Sequence, residues 1–235
     1  TLPRAPEPEP EPPSTNGEPR PDEPPPPTFG WNRLSRQELL AEAKRSTQLD
    51  RMQVALVVLS FAVAAAGLLG DSVAIVIAAM VIAPLLGPNI SLALATTTGD
   101  ADLARRSAWV AISSMLIALG LALVTGATTA AFGIDLMASA EIAARTVSRP
   151  GSDFVLAIAA GAAGALSFTS GVSGTLIGVM VAVALMPPLI VFGFLLAGGD
   201  FSHALDAGLL LATNVIGVNL AGVVTFLQQG IRPTR

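Results

Sequence analysis

Two short proline motifs, APLLGPN and LMPPL, interrupt otherwise apolar stretches of this 235-residue chain. A proline inside a helix removes one backbone hydrogen bond and clashes with the preceding turn. Each motif is therefore expected to free carbonyl groups and to kink or break its helix. Such a break can be a plain packing kink, or it can hold a small polar solute or an ion. The candidate residues are Pro84, Gly87, Pro88, Asn89, Pro187 and Pro188.

Further polar side chains fall within or beside the apolar stretches. The segment 169–174, TSGVSG, is too polar for an ordinary membrane span and predicts a tight turn or a re-entrant segment. The last apolar stretch contains two asparagines, which need hydrogen-bond partners; helix-to-helix bonding is their first explanation, and a binding role is the alternative. These segments add four candidates for a solute or ion pathway, namely Ser170, Ser173, Asn214 and Asn219.

The composition excludes several kinds of chemistry. There is no cysteine and no tyrosine, and His203 is the single histidine, so thiolate catalysis and metal sites built on cysteine or paired histidines are excluded. We therefore predict no enzyme activity, no metal and no cofactor. Asp200, His203 and Asp206 form a small titratable group that is typical of a solvated loop. Because no carboxylate lies deep in an apolar stretch, a coupling ion would be held by carbonyls and hydroxyls.

The distribution of apolar residues predicts an all-α integral membrane protein. The chain is 52% hydrophobic and 13% charged, whereas soluble domains carry about 25% charged residues. A helix of about 20 residues crosses a bilayer, and the apolar segments here lack the polar stripe of a soluble helix. We predict about six transmembrane helices in a membrane domain over 52–230, at 52–69, 73–97, 107–132, 154–170, 175–197 and 205–228.

The region before the first apolar segment divides into two parts. Residues 1–28 are predicted to form a disordered, acidic, proline-rich tail. The negative charge of this tail accounts for the net charge of −4 of the whole chain. Residues 29–51 predict an amphipathic helix in the cytoplasm or at the membrane interface, with Ser35 and Glu38 as a capping box.

The lysines and arginines predict the orientation, because such residues are enriched in cytoplasmic loops. Six spans with a cytoplasmic N-terminus place nine of these residues in the inside flanks of the spans and only Arg145 and Arg149 outside. The chain is thus expected to be a multi-pass protein of the cell membrane with both termini in the cytoplasm. Its partners are expected to be the lipid bilayer, a small solute or ion, and further copies of itself, with no nucleic acid.

A shift of 100 residues aligns the two halves of the membrane domain without a gap. Met80 falls on Met180, Pro88 on Pro188, and the Gly-Asp pair at 99–100 falls on the pair at 199–200. Each unit, about 52–132 and 153–230, holds three spans, so the second unit enters the membrane from the opposite side. The sequence predicts an inverted 3+3 repeat, as in many secondary transporters, with proline-broken second and fifth helices.

Four stretches, APLLGP, TSGVS, ALMPPL and TNVIGVNLAG, resemble a prokaryotic membrane family known as domain of unknown function 389. The resemblance covers about residues 50–228 and implies a bacterial or archaeal membrane protein, without an established activity. Many relatives look to carry a folded cytoplasmic domain where this chain has its tail and short helix.

Two functions agree with these observations. The paired helix breaks favour a membrane transporter or channel for a small polar or anionic solute or an ion. The alternative is a non-transporting scaffold or regulatory protein that acts through the cytoplasmic N-terminal tail.

Overall fold

The computed structural model describes residues 36–147, 150–170 and 175–233, and these ranges contain helices and turns but no strand. All described residues belong to one compact unit, 32–235. A 3-10 turn spans Leu136–Ala138. The helices are α1 Arg36–Ser46, α2 Arg51–Leu69, α3 Val73–Ile82, α4 Leu86–Thr98, α5 Ala101–Ala131, α6 Ala140–Ala143, α7 Pro150–Ser170, α8 Thr175–Gly198 and α9 Phe201–Gln228.

The long helices have the composition of a membrane-embedded protein. Within the described ranges, α2, α5, α7 and α9 are each long and apolar enough to cross a bilayer. The pair α3 and α4 makes a fifth span if its two halves are counted together. In α8, which runs over Thr175–Gly198, the stretch Ala184–Gly198 is apolar. The predicted all-helical fold is confirmed for the described residues, with four to five apolar helices that could span a membrane, and the sixth span stays a prediction.

The predicted break in the second span is confirmed at Pro84. The α3 helix ends at Ile82, and the axes of α3 and α4 differ by 57°. A residue that precedes proline is pushed out of the helical region, and Ala83 accordingly has an extended backbone with φ −64° and ψ 118°. Pro88 falls within the first turn of α4, where a proline is tolerated because the N–H would lack a helical partner.

The prediction of a broken fifth helix is wrong. The α8 helix continues from Thr175 to Gly198 with Pro187 and Pro188 in its interior. Pro188 has no N–H for the carbonyl of Ala184, but Asn214 of α9 donates its side-chain Nδ2 to that oxygen at 2.7 Å. A neighbouring helix thus replaces the missing hydrogen bond, and α8 stays in one piece.

The α8 helix is the centre of the larger apolar core. Leu185, Ile190 and Phe194 are almost fully buried there, and the Phe194 ring meets Phe61 of α2 edge to face at 6.5 Å. The α5 helix approaches α8 closely because Gly126 lies against the Phe194 backbone. Membrane helices rely on such small residues, since lipid gives them no hydrophobic drive to associate.

A smaller core joins α1 to the membrane helices. Leu39 and Ala43 of α1 are buried against Ile90 and Leu94 of α4. The opposite face of α1, which carries Glu42 and other polar residues, is exposed. A helix therefore lies within the predicted range 29–51, while its cytoplasmic position stays a prediction. The predicted tail and the capping residue Ser35 lie outside the described residues.

The two Gly-Asp turns adopt the same local structure. Gly99 has φ 73° and Gly199 has φ 84°, a left-handed conformation that favours glycine. Each following aspartate caps the next helix: Asp100 Oδ1 accepts from the Leu103 N–H at 2.9 Å, and Asp200 Oδ1 from the His203 N–H at 3.3 Å.

We predict that Gly126→Ala lowers the free energy of unfolding by roughly 1–3 kcal/mol, because overpacking forces helices apart. The added Cβ would overlap the carbonyl oxygen of Phe194. Gly120 of the same helix has open space around its Cβ position, which makes Gly120→Ala the matched control. Unfolding of the purified protein in mixed micelles, followed by circular dichroism, measures both. Equal stabilities of the two variants would contradict the packing of α5 on α8.

Candidate functional site

A cleft of about 320 Å³ opens where α3 ends and α4 begins. Its described walls come from four helices and from the break between α3 and α4. Two lining side chains are polar, Ser46 at the end of α1 and Gln53 in the first turn of α2. The other lining residues are Leu56, Val81, Ile82, Ala83, Pro84, Leu86, Gly87 and Pro88.

The carbonyl of Pro84 lies at the break and has no backbone donor. Pro88 lacks the N–H that would reach this oxygen in a continuous helix. Gln53 takes its place and donates Nε2 to the Pro84 oxygen at 3.0 Å. The broken segment is thus held to α2 by a side-chain amide.

The C-terminal end of α1 closes one wall of the cleft. Ser46 Oγ lies 2.8 Å from Ser91 Oγ of α4, and Ser91 also donates to the carbonyl of Ala43 at 3.4 Å. A Cβ on Gly87 would lie 2.7 Å from the Ser46 Cβ, so only glycine lets α1 come this close. The pre-membrane helix is therefore a structural part of the cleft.

Two of the predicted asparagines meet between α4 and α9. Asn89 is 2% exposed and donates Nδ2 to its own helix at the Leu85 carbonyl, at 2.8 Å. Asn219 donates to the Val215 carbonyl at 2.9 Å, and its Nδ2 also lies 3.5 Å from Asn89 Oδ1. At that length the bond between the two side chains is weak.

The third asparagine serves the second proline motif. Asn214 is 4% exposed, and it makes the hydrogen bond to the Ala184 carbonyl described above. Ala184 and Pro188 stand 100 residues after Pro84 and Pro88. Both carbonyls, at 84 and at 184, lose a helical donor to a proline and receive a side-chain amide from another helix.

The remaining candidates do not join these groups. Ser170 Oγ donates to the Leu166 carbonyl within α7. Ser173 lies outside the described residues. Pro84, Gly87 and Pro88 line the cleft, whereas Asn89, Asn214, Asn219 and Ser170 are absent from its described lining. Five buried side-chain oxygens in the described chain have no protein hydrogen-bond partner: those of Ser60, Ser107, Ser114, Asn214 and Asn219.

The titratable group at the start of α9 is only partly assembled. His203 Nδ1 lies 2.7 Å from Asp200 Oδ2, and this side-chain hydrogen bond holds the pKa of Asp200 below its ordinary value. Asp200 also lines a second cleft, of about 260 Å³, together with Asp135. Within the described ranges, no three histidine or carboxylate side chains come together as a metal site would require.

The half-helix ends give the first cleft its electrostatic character. The carbonyl end of α3 carries partial negative charge and the N–H end of α4 partial positive charge. Pro84 has no N–H for the Met80 carbonyl, so this carbonyl at the end of α3 lacks the donor that it would have in a continuous helix. The described walls of the cleft contain no charged side chain. The arrangement can hydrogen-bond a small polar group, and it holds no nucleophile paired with a base.

Sequence reasoning missed Gln53 and Ser46. A usable signal existed, because amide side chains are scarce in the apolar segments. Within the described spans Gln53, Asn89, Asn214 and Asn219 each donate to a backbone carbonyl, and two of these carbonyls lie four residues before a proline. Pairing each orphaned carbonyl with the few available amides would have pointed to Gln53. Nothing in the sequence indicated that α1 packs against α4.

We predict that Gln53→Leu lowers the free energy of unfolding by roughly 1–3 kcal/mol, because the part-buried Pro84 carbonyl loses its donor. Gln48→Leu is the control, since Gln48 is exposed in the α1–α2 connection. Denaturant titration in mixed micelles compares the two. If both variants lose the same stability, the hydrogen bond of Gln53 does not support the break.

Comparisons with known proteins place the chain in a family. A family model described as "Domain of unknown function (DUF389)" matches residues 80–220. An uncharacterized protein of Methanocaldococcus jannaschii is 37% identical over 203 residues, 86% of this chain and 62% of the relative. The chain therefore spans about three fifths of the length of that relative. No solved structure matches it. The chain belongs to the DUF389 family.

Proposed function

We propose that this protein is a membrane transporter or channel for a small polar or anionic solute or an ion, and that the cleft at the α3–α4 break lies on the pathway. The observation that carries the proposal is a helix that breaks inside an apolar span beside a cleft of about 320 Å³. Irregular backbone at membrane depth is tolerated only where protein or a water-lined cavity satisfies it.

The chemistry of the cleft suits a small solute. Its volume lies at the lower end of the range for ligand sites, which is about 300–1,000 Å³. Gln53, Ser46 and the backbone around Gly87 offer hydrogen bonds, while Leu56 and Val81 offer apolar contact. The carbonyl end of α3 and the N–H end of α4 both face the break, so the cleft offers acceptors and donors to a small polar solute, and an anionic group is favoured at the α4 end.

The second half of the chain supports a repeated architecture. We propose that α2 to α5 and α7 to α9 are inverted copies, with the α3–α4 pair equivalent to α8. The matching Gly-Asp turns and the matching orphaned carbonyls of Pro84 and Ala184 support this equivalence. With both termini in the cytoplasm, the α3–α4 cleft would face that side through α1.

We predict that vesicles reconstituted with the full chain take up at least one member of a panel of monovalent ions, inorganic anions and small neutral solutes faster than protein-free vesicles. The chain has no cysteine, so Leu86→Cys places one thiol in the cleft wall. A hydrophilic thiol reagent should then remove most of the flux, because the attached group fills the cleft.

Thr96→Cys is the matched control, since Thr96 is exposed at the other end of α4. Labelling at this position should leave the flux unchanged. Vesicles that stay impermeable to the whole panel would overturn the proposed function. Unchanged flux after labelling at position 86 would place the pathway elsewhere.

A further inference from the structure

We propose that Asn214 is a latch that holds α8 straight, and that α8 hinges between Ala184 and Pro188 when the Asn214 hydrogen bond opens. The inference rests on the proposed function in one respect, since the straight and hinged forms would be two states of the same pathway.

The continuity of α8 through its two prolines depends on a contact outside the helix. Pro188 cannot donate to the Ala184 carbonyl, and Pro187 removes the hydrogen bond one position earlier. The Asn214 amide, 2.7 Å from the Ala184 oxygen, is the donor that the structure supplies. A movement of α9 away from α8 would therefore leave two consecutive carbonyls without helical partners at the same point. A helix bends most easily where two consecutive backbone hydrogen bonds are missing.

The first unit shows the bent alternative at the equivalent place. Pro88 removes the donor of the Pro84 carbonyl, and the chain there is bent by 57°. Ser114 occupies the position 100 residues before Asn214 and is fully buried, and its Oγ has no protein partner. The shorter serine does not serve as the donor, and Gln53 of α2 binds the carbonyl instead. The proline at 88 and its equivalent at 188 are thus found beside a broken helix and within a continuous one, and the broken site also carries Pro84, where the second unit has Ala184.

The latched form is not the best arrangement for Asn214 itself. Its Oδ1 is buried without a protein partner, and a buried acceptor in that condition raises the free energy of the state that contains it. The half of α8 after Pro188 is held against α5, because Gly126 packs on Phe194 and Gly193 on Ala122. Opening the latch is therefore expected to leave this half on α5 and to change the angle between the two halves.

The test measures the length of α8 in the full chain in lipid nanodiscs. Spin labels at Thr175→Cys and Ala197→Cys, in the otherwise cysteine-free chain, report the distance between its ends. A straight helix separates these positions by about 33 Å, and a bend like that of α3–α4 shortens the distance by about 4 Å. In Asn214→Ala the ratio of short to long distances should rise by about tenfold or more, because one hydrogen bond in an apolar site is lost.

Two further variants decide the cause. Pro188→Ala restores an N–H for the Ala184 carbonyl, so Asn214→Ala combined with Pro188→Ala should return to the long distance. Asn219→Ala is the matched control on α9, since Asn219 donates to its own helix rather than to α8, and it should keep the long distance.

The proposal is overturned if Asn214→Ala keeps the long distance, if the double variant stays short, or if Asn219→Ala shortens α8 equally. If Asn214→Ala does not fold, two milder variants measure the same ratio of short to long distances. Asn214→Gln keeps an amide donor at this position. Pro188→Ala restores the backbone donor of Ala184 and must abolish any short form. These distances are measured without a solute, so a hinge that appears in a chain without flux would refute the proposed function and leave the latch standing.

Discussion

The lack of a backbone N–H at four prolines is the constraint on which the membrane domain depends. In an apolar interior a carbonyl without a donor destabilises the structure by roughly 1–3 kcal/mol, so each one must be satisfied by protein or by water. At Pro84 and Ala184 the chain supplies a side-chain amide from a separate helix, Gln53 and Asn214 respectively. The positions of α2 and α9 follow from this need, because a short amide reaches a backbone only across a close helix contact.

Small residues make those contacts short enough. A Cβ on Gly217 of α9 would lie 2.7 Å from the Ala157 Cβ, and one on Gly222 would lie 2.8 Å from the Ala93 Cβ. These glycines hold α9 against α7 and α4, and Asn214 and Asn219 lie on the same helix. Since lipid tails are as apolar as leucine, packing and polar bonding supply the association that water would drive in a soluble bundle. The glycines and the amides therefore act together.

The sequence predicted those features that depend on local chemistry. Apolar length identified the long helices, and the effect of Pro84 on Ala83 identified the break between α3 and α4. The Gly-Asp turns also followed from residue type. The prediction failed for α8, because its continuity depends on Asn214, a residue 26 positions after Pro188. Gln53 and Ser46 were missed for the same reason, since both reach the cleft through tertiary contacts.

The two proline sites differ in which neighbour satisfies the carbonyl. In the first unit the donor is Gln53 of α2, which precedes the broken pair in the chain, and the half-helices diverge by 57°. In the second unit the donor is Asn214 of α9, which follows α8, and the helix continues through its prolines. A missing hydrogen bond four residues before a proline therefore does not by itself fix the shape of the helix. In the first unit Pro84 also forces Ala83 out of the helical region and the helix breaks, whereas the second unit has alanine at 184 and the helix continues with Asn214 as donor.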